Sequence, residues 1–171
     1  VVNYFQNKIE DAHANFEKAN NLKDNAISKN NLGAIAGLKG DRAKAAKLLA
    51  QAKGAGNEVA YNTGIINIQA GKYADAVSSF GAEASFNKAL AQLLNNSSAE
   101  AMKTIDLSSD KESARGFYLK AVAAARMDKI DTVVTNLKNA ISKDASYKAK
   151  AGKDREFLKY ATDASFTSVA K

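Results

Sequence analysis

The ten residues Asn31-Leu32-Gly33-Ala34-Ile35-Ala36-Gly37-Leu38-Lys39-Gly40 return 31 residues later as Asn62-Thr63-Gly64-Ile65-Ile66-Asn67-Ile68-Gln69-Ala70-Gly71. The match continues downstream, pairing Ala45 with Ala76 and Leu49 with Phe80. A fixed period of this length marks a repeat architecture, in which each supersecondary unit buries its apolar face against the next. Here a unit reads as helix, short glycine-containing turn, helix. Gly40 and Gly71 stand where a helix would end in a left-handed cap, and Asp41 is placed to cap the helix that follows.

Looser copies flank these two. Asn87 to Asn96 reads as a first helix and its turn, and Ser98 to Ile105 as a short second helix capped by Ser97 or Ser98. Ala114–Met127 and Lys129–Ile141 form a further pair turning at Asp128. Upstream, Asn7 to Ala19 has the spacing of a second helix, with Ile9, Ala12, Phe16 and Ala19 on one side. Its partner is either the stub 1–5 or a helix upstream of Val1; the opening without a methionine favours a missing upstream region. Second helices thus align on Ala12, Ala45, Ala76, Ala101 and Val133, at separations of 33, 31, 25 and 32 residues. The short step leaves no room for a normal exit turn between Gly81 and Phe86. The second helix before it should therefore be cut short, with a change of superhelical twist. After Asp144 the pattern weakens: Tyr147 to Ala151 reads as a short helix, and Phe157, Tyr160 and Phe166 as aromatics sealing the last apolar face. The expected organisation is one domain over 1–171, with a partial repeat in 1–25, helix-pair repeats in 26–145 and a capping segment in 146–171.

Composition supports helices. There is no proline, where average usage would give roughly eight or nine, and alanine, the best helix former, dominates the apolar supply. The absence of cysteine removes disulfides, thiolate nucleophiles and sulfur metal sites. No stretch approaches the roughly twenty apolar residues of a transmembrane helix, and no signal peptide is recognisable at the start. The formal net charge of +7 is uneven: 1–85 hold ten basic and eight acidic residues, 86–171 fifteen and ten. The C-terminal half would carry a mild positive field able to steer an acidic partner or a membrane surface; with acidic residues interspersed throughout, an ordinary lysine-rich solvated surface is the other reading.

Together the set Leu32-Gly33, Ala36, Gly40, Ala45, Leu49 and Ala52 resembles the tetratricopeptide repeat, with Sel1-type and other helix-hairpin repeats as the competing resemblances. It recurs as Gly64, Gly71, Tyr73, Ala76 and Phe80, and as Ala121, Ala124, Val133, Leu137, Ala140 and Ala145. The family's first-helix tryptophan and trailing proline are missing, with Asn57 and Ala145 at the proline's place, and the spacing is 31 rather than 34. The run Tyr61 to Leu94, with Ser79-Phe80-Gly81 and Ser85-Phe86-Asn87-Lys88-Ala89-Leu90, is also similar to repeat regions of Bacteroides-type envelope proteins. The resemblance implies an all-α fold, an α-α superhelix of antiparallel helix pairs whose first helices line a concave groove. The second likeness implies a periplasmic or outer-membrane-associated setting.

Carried onto this chain, the groove would be lined by Tyr61, Ile65, Ile68, Phe86, Leu90, Leu93, Tyr118, Val122 and Arg126. Asn31, Asn62 and Asn87 hold one equivalent position in three first helices. An amide both donates and accepts, so such a series can pair with the backbone of an extended peptide; it can equally bind neighbouring helices and stabilise the stack. The apolar members would suit an amphipathic helix or apolar peptide strip. The basic two-carboxylate clamp of chaperone-tail-binding members is absent, its positions holding Asn30 and Ala34 or Tyr61 and Ile65, with only Arg115 charged. Gly33 to Gly40 lacks the Gly-Lys-Ser/Thr ending of a phosphate loop, His13 is the single histidine, and no zinc or calcium spacing occurs. These readings converge on a non-enzymatic interaction scaffold for a peptide or partner helix, with no cofactor, no metal and no small-molecule substrate. A structural spacer or assembly module of a larger cell-envelope protein is the alternative. Nucleic-acid recognition lacks a motif or a basic-aromatic platform.

Overall fold

The computed structural model describes residues 2–170, which are helical apart from short connections. The twelve α-helices among them are α1 (Val2–Phe5), α2 (Ile9–Leu22), α3 (Ala26–Leu38), α4 (Arg42–Gln51), α5 (Asn57–Gln69), α6 (Tyr73–Phe80), α7 (Phe86–Leu94), α8 (Ser98–Leu107), α9 (Ala114–Arg126), α10 (Ile130–Lys143), α11 (Ser146–Ala151) and α12 (Ala164–Ala170), with a 3-10 segment at Arg155–Tyr160. They form two compact units, Val1–Gly81 and Ala82–Lys171.

One register builds the helix pairs of both units. Counting from a small buried residue of each first helix (Gly33, Gly64, Ala89, Ala121), the seventh residue on has a positive φ: Gly40 at 84°, Gly71 at 74°, Asn96 at 60° and Asp128 at 58°. The twelfth is fully buried, as Ala45, Ala76, Ala101 and Val133, and the sixteenth is a large core residue, as Leu49, Phe80, Ile105 and Leu137. The left-handed residue lets the chain reverse, and two backbone bonds lock the reversal. In α3, Asp41 N donates to Ala36 O at 2.9 Å and Gly40 N to Gly37 O at 3.1 Å. The same two bonds recur after α5, α7 and α9, and also around Asn7 (φ 57°) after α1. The stub Val2–Phe5 therefore stands in the place of a first helix before α2, with Val1 outside the described residues. Asn and Asp tolerate the left-handed region better than other non-glycine residues, so three of the five turns work without glycine.

The small residue is required by what lies against it. A Cβ at Gly64 would sit 2.6 Å from the Phe80 ring, and one at Gly33 would sit 2.9 Å from Leu49 Cγ. The helices of a pair approach until the large side chain covers the glycine backbone, and dispersion contacts replace water over that surface.

In the first unit three pairs pack in sequence, α1/α2, α3/α4 and α5/α6, with α2 also contacting α3 and α4 contacting α5. Ala12, Phe16, Leu32 and Ile35 form one core cluster there, and Ala36, Ala45, Leu49 and Ile66 another. In the second unit α7/α8 and α9/α10 pair, and the tail covers α9 and α10. Phe157 and Phe166 are buried in the same cluster as Leu119, Val133 and Leu137, and the rings of Tyr118 and Phe157 meet edge to face at 5.8 Å.

The unit boundary falls inside the contracted segment. Helix α6 has 8 residues, and α7 has 9 where α5 has 13. Shortening of the second helix is thus only part of the contraction. Most of it is a missing first turn of α7, which starts three residues before Ala89 while α5 starts seven before Gly64. Asp41 caps α4 by accepting from Lys44 N at 3.0 Å, whereas Ser97, at the N-cap of α8, makes no such bond.

Candidate functional site

In the second unit a trough of about 430 Å³ opens between first helices and tail. Its floor follows helical spacing. Phe86, Leu90, Leu93 and Leu94 come from one face of α7, and Tyr118, Leu119 and Val122 from one face of α9. Tyr147, Lys150, Asp154 and Glu156 of the tail and Arg115 and Arg126 of α9 form the walls.

The tail is fixed by two polar ties. The Tyr118 hydroxyl donates to Asp154 Oδ2 at 2.6 Å, while Asp154 Oδ1 accepts from Glu156 N at 3.0 Å. Burial, reinforced by the hydrogen bond to Asp154, pushes the Tyr118 phenol far above its ordinary range, so it stays protonated. Arg126 donates through Nε to Glu156 Oε2 at 3.0 Å and through Nη2 to Oε1, a fork-to-fork pair. Its Nη1 donates to Leu93 O at 2.6 Å, near the C-terminus of α7 where a cation is favoured. The Glu156 hydrogen bonds hold the guanidinium above its usual range, against the opposing effect of burial. Arg126 thereby joins α7, α9 and the tail.

The remaining cations rest on aromatic faces. Lys150 Nζ lies 4.5 Å from the Tyr118 ring centroid and 5.1 Å from that of Tyr147. Arg115 Cζ lies 4.8 Å from the centre of Phe86, and its Nε donates to Asp110.

Of the residues assigned to a groove from sequence, Tyr118 and Arg126 meet in this trough with Phe86, Leu90, Leu93 and Val122. Asn87 follows Phe86 on α7, half-buried, and lies off the lining. In the first unit Asn62 and Ile65 line a depression of only about 80 Å³ with Tyr4, Gly37 and Gln69. There Asn62 Nδ2 donates to Oδ1 of the buried Asn30 at 3.0 Å, tying α5 to α3. Asn31 is half-buried beside Asn30. Tyr61 is 42% exposed, its ring edge-on to Phe80 at 5.5 Å. The three asparagines thus differ in surroundings, and Asn62 serves packing within its unit.

No protein-family model and no curated protein matches the chain. Chemistry at the trough is consequently read from its own side chains. His13, with Nδ1 3.5 Å from Glu17, lies in the other unit. Among the described residues no cluster of His, Cys, Asp or Glu is arranged to hold a metal ion, and no helix is long and apolar enough to cross a membrane. Asp154 and Glu156 carry no signal in the sequence, and Tyr147 and Lys150 are marked there only as part of a short helix. The tail carries no repeat register, and a polar partner thirty residues away leaves no periodic trace.

Proposed function

We propose that the chain is a tetratricopeptide-like scaffold, non-enzymatic, that holds a peptide or partner helix reversibly in the trough of α7, α9 and the tail. The observation carrying this reading is the continuous apolar floor of Phe86, Leu90, Leu93, Leu119 and Val122, open on one side and walled by fixed polar ties. Grooves of this kind take apolar anchors spaced along a helix face. Walls that are already ordered reduce the entropy lost on binding. The likeness of Tyr61 to Leu94 to envelope-protein repeats adds a periplasmic or outer-membrane-associated setting to the proposal.

A photo-crosslinking residue at Leu90, on the floor, and another at Lys138, exposed on α10, test it. Partner adducts are expected from position 90 and should be suppressed by excess uncrosslinked chain. Equal adduct formation from position 138 would remove the trough from the account.

One observation favours the second reading, an assembly module of a larger envelope protein. Phe5, Leu22, Ile27 and Leu38, on α1 to α3, are each more than 60% exposed, and exposed apolar groups of this size mark interaction surfaces when contiguous. Phe5→Ser with Leu22→Ser would then block assembly of the full-length protein while leaving crosslinking at Leu90 intact; unchanged assembly removes this reading.

A further inference from the structure

The charge at the mouth of the trough is lopsided. Its two carboxylates are turned to internal use: Asp154 accepts from Tyr118 and from its own turn, and Glu156 is gripped by Arg126. Lys150 rests on tyrosine faces instead of on a carboxylate, and Lys148, Lys153 and Arg155 of the same tail are exposed. Arg115, on the opposite wall, lies over Phe86 and is paired with Asp110. An occupant of matching charge is therefore anionic where it meets Lys150 and the basic tail around it, and apolar where it meets the floor.

The backbone conformation of the occupant follows from the floor. Helices α7 and α9 satisfy their own amides and carbonyls and present only side chains, with Asn87 off the lining. An extended peptide pressed onto such a floor would lose water from backbone groups and gain no partner, which is unfavourable for each. A helix brings its hydrogen bonds with it.

We infer that the trough receives an amphipathic peptide helix whose leucine-type stripe is flanked by carboxylates, which pair with Lys150. The inference rests on the trough being the binding site. The test uses fluorescent synthetic helical peptides sharing one leucine stripe, flanked by Glu, Gln or Lys, titrated into the whole chain and followed by anisotropy. The Glu-flanked peptide should bind about ten-fold tighter than the Lys-flanked one at low salt, and the difference should shrink as salt screens the rim. Lys150→Glu should invert the order, Lys138→Glu should leave it unchanged, and Leu94→Lys, which sets a charged amine in the apolar floor, should abolish binding of all three peptides.

Equal binding of the three peptides, still blocked by Leu94→Lys, overturns the acidic occupant and leaves the trough standing as a peptide site. Binding indifferent to Leu94→Lys, or no binding by any peptide, overturns both. Displacement of a bound peptide by decanoate but not by decylamine supports the cationic rim. Binding of decanoate with none of the peptides identifies a small amphiphile site and overturns the helix.

Discussion

Gly37→Ala combined with Ile66→Val tests whether adjacent first helices pack as closely as the repeat register requires. A Cβ at Gly37 on α3 would sit 2.4 Å from Ile66 Cδ1 on α5, while the next nearest atoms, Ile66 Cγ1 and Ala45 Cβ, lie at 3.7 and 3.9 Å. Ile66 is 5% exposed, leaving the methyl little room to turn away. Alone, Gly37→Ala gains up to about 1 kcal/mol of helix propensity and loses about 1–3 kcal/mol to overpacking, so it should be neutral to destabilising by about 2 kcal/mol. Ile66→Val deletes the offending methyl at a cost of about 0.5–1.5 kcal/mol. In that background the new Cβ meets only ordinary contacts, and Gly37→Ala should stabilise. The expected coupling is about 1–3 kcal/mol, measured by urea unfolding of the four proteins followed by far-UV circular dichroism. The two units can unfold in separate transitions, and the one that moves should be the first unit's. Additivity within about 0.5 kcal/mol would refute the close packing of α3 on α5.

Three further outcomes follow from the turns, the tail tie and its caps. Gly71→Ala should destabilise by about 1–2 kcal/mol purely through the backbone, because φ is 74° and nothing lies within 4 Å of the added Cβ; Gly71→Asn should lose less, and equal urea midpoints for all three would exclude a strained turn. Arg126→Gln breaks the fork to Glu156 and the bond to Leu93 O and should lower the second unit's stability by about 1.5–3 kcal/mol, visible as faster amide exchange in the 3-10 segment. The Ser165 hydroxyl and the Phe166 amide hold the Asp163 carboxyl below the usual carboxylate range. Because the folded value lies below the unfolded one, its stabilisation of α12 is complete above the ordinary carboxylate range and is lost as pH falls through the depressed value. The Phe166 amide resonance should report that loss, and Asp163→Asn should remove its pH dependence.

The helix pairs were legible in the sequence because their determinants are local. A small residue, a left-handed turn and a buried residue five positions beyond it recur in plain view at Gly33, Gly40 and Ala45. The tetratricopeptide resemblance implied Phe86, Leu90, Leu93, Tyr118 and Val122 as groove residues, and all five line the trough. What escaped were interactions that depend on how helices are staggered. Asn31 and Asn62 occupy equivalent sequence positions, yet Asn62 reaches Asn30, since side chains on adjacent helices meet one residue off the repeat register. The contraction before Ala89 was visible as a number, while its placement in the first turn of α7 depended on where Ser85 caps the helix by accepting from Lys88 N at 3.2 Å. The polar wall escaped because Arg126 and Glu156 are joined by folding alone.

Methyl NMR on the second unit's floor, in the whole chain bound to its crosslinked partner's binding segment, addresses the trough itself. The account requires intermolecular contacts to the methyls of Leu90, Leu93, Leu119 and Val122, with none to Val134 on α10. Contacts confined to Val134 and its neighbours on the second helices, with the floor methyls unmoved, would contradict it.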